Sequence, residues 1–185
     1  MSPSGKRDER TDSASNGTRI PVPDSIRRIA GSEDRKLAWE FFVFFSRFEY
    51  ALKRSALYLS GGPSRARPNW DQFGADNDAA FWDDATEDVA AAVDYLRTTP
   101  PRKQVVRSNA LAWSEPQAYE GGSELVWLLR MIRTVRNNLF HGGKFPLIHV
   151  EEPSRDSELL LHALTILSAC LPLDRDLERK FEQWS

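Results

Sequence analysis

One cysteine, Cys170, stands in a chain of 185 residues. A single thiol excludes an intramolecular disulfide and every metal cluster built on paired cysteines. It lies in an apolar run, the setting of a small buried hydrophobe in a reducing compartment. Strand signals are nearly absent and no internal repeat is visible. No glycine-rich phosphate loop is present to support nucleotide hydrolysis. Positive charge is not in surplus: the net charge is −2, so nothing global draws the chain to nucleic acid or acidic lipid. Any polyanion site has to be a local patch. The N-terminus is polar and lacks the apolar block of a signal peptide. The densest apolar stretch, FFVFF at 41–45, is far too short to cross a bilayer. The expectation is a cytoplasmic protein without a membrane segment.

Hydrophobic residues at 41% and charged residues at 28% are ordinary for a globular chain, and the length suits one domain with a proper core. Residues 1–22 are rich in Ser, Gly, Pro and charge and poor in aromatics. Such a segment has too little apolar area to offset its ordering entropy, so a disordered arm is expected there, followed by one all-α domain over 23–185.

Helical periodicity begins at Ser32. Leu37, Phe41, Phe44, Phe45, Phe48, Leu52, Ala56 and Leu59 recur at three- and four-residue spacing, predicting a helix to about Leu59, where Gly61-Gly62-Pro63 stops it. Trp39, Phe42, Val43 and Tyr50 fall on its other side, as in a helix central to a bundle or shared with another subunit. GGPSRARPNWDQFGADND reads as a loop anchored by Trp70 and Phe73. A helix follows and ends at Pro100-Pro101, and residues 102–122 read as irregular. Ser123 is placed to cap a helix with Leu125, Leu128, Ile132, Val135 and Leu139 on its buried side, ended by Gly142-Gly143. A further helix from about Asp156 to Leu171 buries Leu160, Ala163, Leu164, Leu167 and Leu171, and Pro172 separates it from a short amphipathic helix. The fold class predicted is an all-α helical bundle.

RTVRNNLFHGGK, residues 133–144, admits two readings. Basic residues and histidine in a last helical turn favour the carbonyl end of the dipole by about 0.3–1 kcal/mol, and glycine beyond it is a common cap. At about 100° per residue, however, Arg130, Arg133, Asn137 and His141 share a face opposite the leucines, with Lys144 just beyond, while Arg136 lies about 140° from His141, at the margin of the buried side near Leu129. Arginine presents a donor fork matched to phosphate oxygens, and histidine exchanges protons near neutral pH. Cleaving RNA without a metal needs both: proton transfer at the 2′-hydroxyl or the leaving 5′-oxygen, and stabilisation of the charged phosphorane.

RNNLFH, Arg136 to His141, resembles the R-x4–6-H signature of the HEPN superfamily, with asparagine directly after the arginine. The leucine-rich helix before it, HGGK after it and SELLLHALTILSACL beyond agree. FSRFEYALKRS at 45–55 is similar to the first long helix of the Apea-like HEPN families. The resemblance covers roughly residues 35–172. It implies an all-α bundle that dimerises and brings two motifs together. It also implies a metal-independent endoribonuclease of a toxin–antitoxin, phage-defence or RNA-processing system, although some members bind without cleaving. Carried over, Arg136 and His141 are the catalytic pair and Asn137 the polar supporter; Asn138 is a further supporting candidate, and Glu49, at the edge of the first helix's core stripe, is placed to orient a histidine. Arg130, Arg133 and Lys144 would contact RNA. The implied partners are RNA, a second copy of the chain and an antitoxin or other protein, with no metal and no cofactor.

Glu49 has a plainer reading as a surface pair with Lys53 at i+4. His162 sits opposite its helix's leucines and is read as solvated. His149 has no neighbouring carboxylate or cysteine to build a metal site. Arg65 and Arg67 beside Trp70 suit either a solvated loop or a strand-tracking contact. The six tryptophans are read as core and loop anchors.

Overall fold

The structure, a computed structural model, describes residues 32–140 and 153–183. Among these residues it is mainly helical, with six helices and two small hairpins. Helix α1, Ser32–Arg54, buries Phe41, Phe45, Phe48 and Leu52, whose spacing puts them on one side. It stops short of the expected end. The backbone N–H of Ser55 donates to the carbonyls of Ala51 and Leu52. Leu59 then opens β1 (Leu59–Gly62), paired antiparallel with β2 (Arg65–Pro68). Gly61 adopts φ +101°, where a Cβ would meet the Arg65 carbonyl oxygen at 2.2 Å. Glycine is what lets the two strands close.

Trp70 belongs to a helix rather than to a loop. It begins α2 (Trp70–Asp83), with the Asn69 side chain accepting from the Gln72 N–H as N-cap. The single helix expected next is two. The chain leaves α2 at Asp84, and Thr86, in extended conformation, caps α3 (Glu87–Thr98) by accepting from the Val89 N–H at 3.3 Å.

Residues 102–122, expected to be irregular, contain β3 (Gln104–Arg107) and β4 (Ala110–Trp113). Ser108 and Asn109 between them both have positive φ, 51° and 60°, as a two-residue type I′ hairpin requires. The all-α expectation is therefore corrected to mainly helical with two hairpins. Four-residue strands are too short for a period of two to stand out in a sequence.

Helix α4, Glu124–Phe140, is capped by Ser123, whose Oγ accepts from the Val126 N–H. It buries Leu125, Leu128, Ile132 and Val135 as its periodicity predicts. Helix α5, Pro153–Cys170, buries Leu160, Ala163 and Leu167. A 3-10 turn, Leu171–Leu173, carries Pro172 and leads to α6, Arg175–Glu182, capped by Asp174. Helix α2 packs on α4, α3 on α5, and α1 on both α5 and α6. Trp70 lies against Phe45 and Phe48, with ring centroids 5.2 and 5.4 Å away, and locks α1 to α2. By length and composition Arg155–Leu173 is apolar enough to cross a membrane, at mean hydropathy 1.3. Its Leu159, Ala163, Ile166 and Leu167 are nevertheless packed into the core. The arm expected over residues 1–22 lies outside the described residues.

Candidate functional site

Helix α4 carries Arg130, Arg133 and Arg136, and two other helices, α1 and α2, decide what each one meets. Its start is fixed by carboxylates. Asp78 of α2 accepts from the Leu125 N–H at 2.7 Å and from Ser123 Oγ at 2.8 Å, placing an anion where the helix dipole is positive. Glu124 receives Arg97 of α3 through two bonds of 2.6 and 2.7 Å. The Glu124 hydrogen bond, with its charge, pushes the Arg97 guanidinium above its ordinary range.

One and two turns further, Arg130 and Arg133 converge on Asp71 of α2 at 2.7 and 3.6 Å. Hydrogen bonding to Asp71 raises Arg130 in the same way. These two expected RNA contacts are thus half-exposed ion-pair partners of one carboxylate.

Arg136 departs from that pattern. Its guanidinium lies 4.8 Å from the Phe140 ring centroid and 5.6 Å from that of Phe45 on α1. Its Nη1 donates to Asn137 Oδ1 at 3.1 Å. Among the described residues it makes no ion pair with a carboxylate. Phe140 in turn contacts Phe42 of α1, with centroids 5.2 Å apart, so the end of α4 rests on α1 through rings. Two rings orient a guanidinium by about 0.5–2 kcal/mol in total without neutralising it. Of its five N–H donors, one is taken by Asn137. Among the described residues the arrangement is an oriented cation with most of its fork without a hydrogen-bond partner.

The other expected residues are distributed around this centre. Asn137 is exposed and directly bonded to Arg136, so these two are brought together. Asn138 is buried, and its Nδ2 donates to the Arg102 carbonyl at 2.8 Å; it holds the approach to β3 and faces away from solvent. Glu49 sits one turn beyond Phe45 on α1 and pairs with Lys53 at 3.5 Å, the plainer of its two readings. His141, Lys144 and His149 lie outside the described residues, as does the Gly142-Gly143 stop.

His162 differs from its solvated reading. Its side chain is 19% exposed, its ring 4.3 Å from Tyr95, and its Nε2 3.2 Å from Glu158. Arg65 and Arg67 are exposed on β2, while Trp70 beside them is core and offers no stacking face. Among the described residues no three His, Cys, Asp or Glu side chains gather as metal ligands would. Sequence reasoning missed the ring clamp on Arg136. Its signal was available, since Phe140 follows Arg136 at i+4.

Comparisons with protein-family models, curated proteins and solved structures give no match for this chain.

Proposed function

We propose that the chain is an HEPN-type, metal-independent endoribonuclease that works in the cytoplasm as a homodimer on RNA, within a toxin–antitoxin, phage-defence or RNA-processing system. The observation that carries this reading is Arg136. It stands five residues ahead of His141, is held by two phenylalanine rings and the Asn137 amide, and meets no carboxylate among the described residues. In this reading a 2′-oxygen attacks the adjacent phosphorus and the P–O5′ bond breaks, giving a 2′,3′-cyclic phosphate and a free 5′-hydroxyl. His141 moves a proton at one of the two oxygens, and Arg136 stabilises the phosphorane. A second chain would supply its own motif across a symmetric interface, and an antitoxin or other protein would restrain the pair.

A second reading, a non-catalytic HEPN module that binds a partner or a nucleotide, is favoured by one specific observation. Asp71 already occupies Arg130 and Arg133, which leaves that face less cationic than the sequence suggests.

Incubating the purified protein with mixed RNA in EDTA separates the two. The expected result is fragments ending in 2′,3′-cyclic phosphate, together with light scattering at about twice the chain mass. Persistent inertness at micromolar protein would favour the binding module. A strict monomer that cleaves would overturn the composite two-chain site.

A further inference from the structure

A groove of about 1010 Å³ runs along α1 on the side away from Phe45 and Arg136. Trp39, Val43 and Phe44 of α1 form one wall, at the spacing of a single helical stripe. Leu164 of α5 and Phe181 of α6 face them. The groove is preformed. Phe44 and Phe181 lie ring to ring at 4.8 Å, and Arg47 donates through Nε to the Phe181 carbonyl at 3.2 Å and through Nη2 to that of Gln183 at 2.8 Å. Its apolar surface is open enough to leave Trp39 63% exposed. Its rim is acidic: Glu40, Asp84, Asp88 and Glu182 border it. Of these, Glu40 has an exposed lysine, Lys36, at 3.7 Å, and the other three make no ion pair among the described residues.

We propose that this groove is occupied by the chain's own segment 23–31, with Ile26 and Ile29 on the apolar floor and Arg27 and Arg28 against the acidic rim. Three arguments select this occupant. The segment PDSIRRIAG ends at Ser32, the first residue of the helix that forms the groove wall. Trp39 is about 10 Å along α1 from there and Arg47 about 22 Å; nine residues reach up to about 30 Å when extended. Its two arginines are opposite in charge to the rim, and isoleucines three apart share one side of an extended polyproline II segment, which has three residues per turn. Covalent attachment also gives the segment an effective concentration in the millimolar range, which a second copy or a foreign peptide does not match at micromolar protein. The groove is lined by neither Arg136 nor Arg130, so this inference stands apart from the proposed ribonuclease site.

The test uses the full chain with a benzophenone amino acid in place of Ile26, mixed as light and heavy isotope forms, irradiated and mapped by mass spectrometry. The expected adducts join the segment to groove residues such as Val43, Leu164 or Phe181 within one chain. Adducts between light and heavy chains would give the groove to a second copy and overturn the proposal. Adducts elsewhere, or none, would overturn it as well. The same probe at Ile29 provides an independent position if the first variant does not fold. Combining the probe with Arg27→Glu and Arg28→Glu is expected to cut the groove adduct several-fold; an unchanged yield would overturn the role given to the rim.

Discussion

The two ends of α4 are built from opposite materials. At the start, two carboxylates are held by donors: Asp78 Oδ1 accepts from the Leu125 N–H and Ser123 Oγ, and Glu124 takes Arg97 through both its oxygens. The backbones themselves come close there, because a Cβ on Gly74 of α2 would lie 3.0 Å from both Val126 N and Cα. At the far end, Arg136 has two rings and one amide among the described residues, partners that aim a cation without cancelling it. The difference teaches that one helix can be anchored by carboxylates at one end and, among the described residues, hold a cation without a carboxylate at the other. The first arrangement serves folding, and the second suits an anionic ligand.

The largest effect expected concerns the far end of α4. His141→Ala should lower the RNA cleavage rate by a factor of about 10²–10⁴ while moving stability by about 1 kcal/mol or less. Arg136→Lys keeps the charge but loses the planar fork, so a comparable loss of rate is expected with the melting curve retained. Rates measured beside melting curves decide this. Wild-type cleavage by His141→Ala would remove the catalytic assignment and leave a binding module.

The anchored end should answer with stability instead. Gly74→Ala gains about 0.5–1 kcal/mol of helix propensity but forces α2 away from Val126, at an overpacking cost of about 1–3 kcal/mol. Net destabilisation in urea is expected, and a stabilised variant would show that the two backbones separate easily. Asp78→Ala and Glu124→Gln should each cost about 1–2 kcal/mol, the latter limited because Arg97 is partly exposed to solvent. Cys170 supplies a convenient readout. Burial pushes its thiol up, so alkylation at pH 8 should be slow in the native chain and faster in these variants as opening becomes more frequent.

Smaller again is the middle of the helix. Arg130→Ala removes one of two cations from Asp71, so RNA binding should weaken only a few-fold, with a shallower dependence on salt. Titration of binding at two salt concentrations checks it, and a collapse of binding would make Arg130 a primary contact. The smallest effect belongs to the N-terminal arm. Deleting residues 1–22 should leave the melting temperature nearly unchanged, since their composition offers a core almost nothing to bury. A drop of many degrees would show that the arm is docked.

How much of this was legible in the residues varies by element. The buried side of α4 and the Ser123 cap were readable, because a period of 3.6 repeats over four turns and capping is local. The end of α1 was not. Ala56 and Leu59 continue its spacing, yet pairing across Gly61 takes Leu59 into β1. Both hairpins escaped notice because four residues hold too little alternation. The break at Thr86 escaped because an alanine-rich stretch on each side reads as one helix. At the site, the adjacency of Arg136 and Asn137 was visible, while their surroundings depended on which neighbours α1 and α2 present.

The sequence by itself determined the helical character, the faces of α4 and α5 that turn inward, and the placing of Arg136, Asn137 and His141 within six residues, since all of these follow from local spacing. Tertiary structure alone decided how each arginine of α4 is used. Arg130 and Arg133 meet Asp71 from 59 and 62 residues away in sequence, and Arg136 meets Phe45 across the packing of α1 on α4. No rule of spacing gives such partners. Whether a charge is neutralised or left available depends on the few ångströms around it, because Coulomb and ring interactions fall steeply with distance, and those few ångströms are set by which helices pack together.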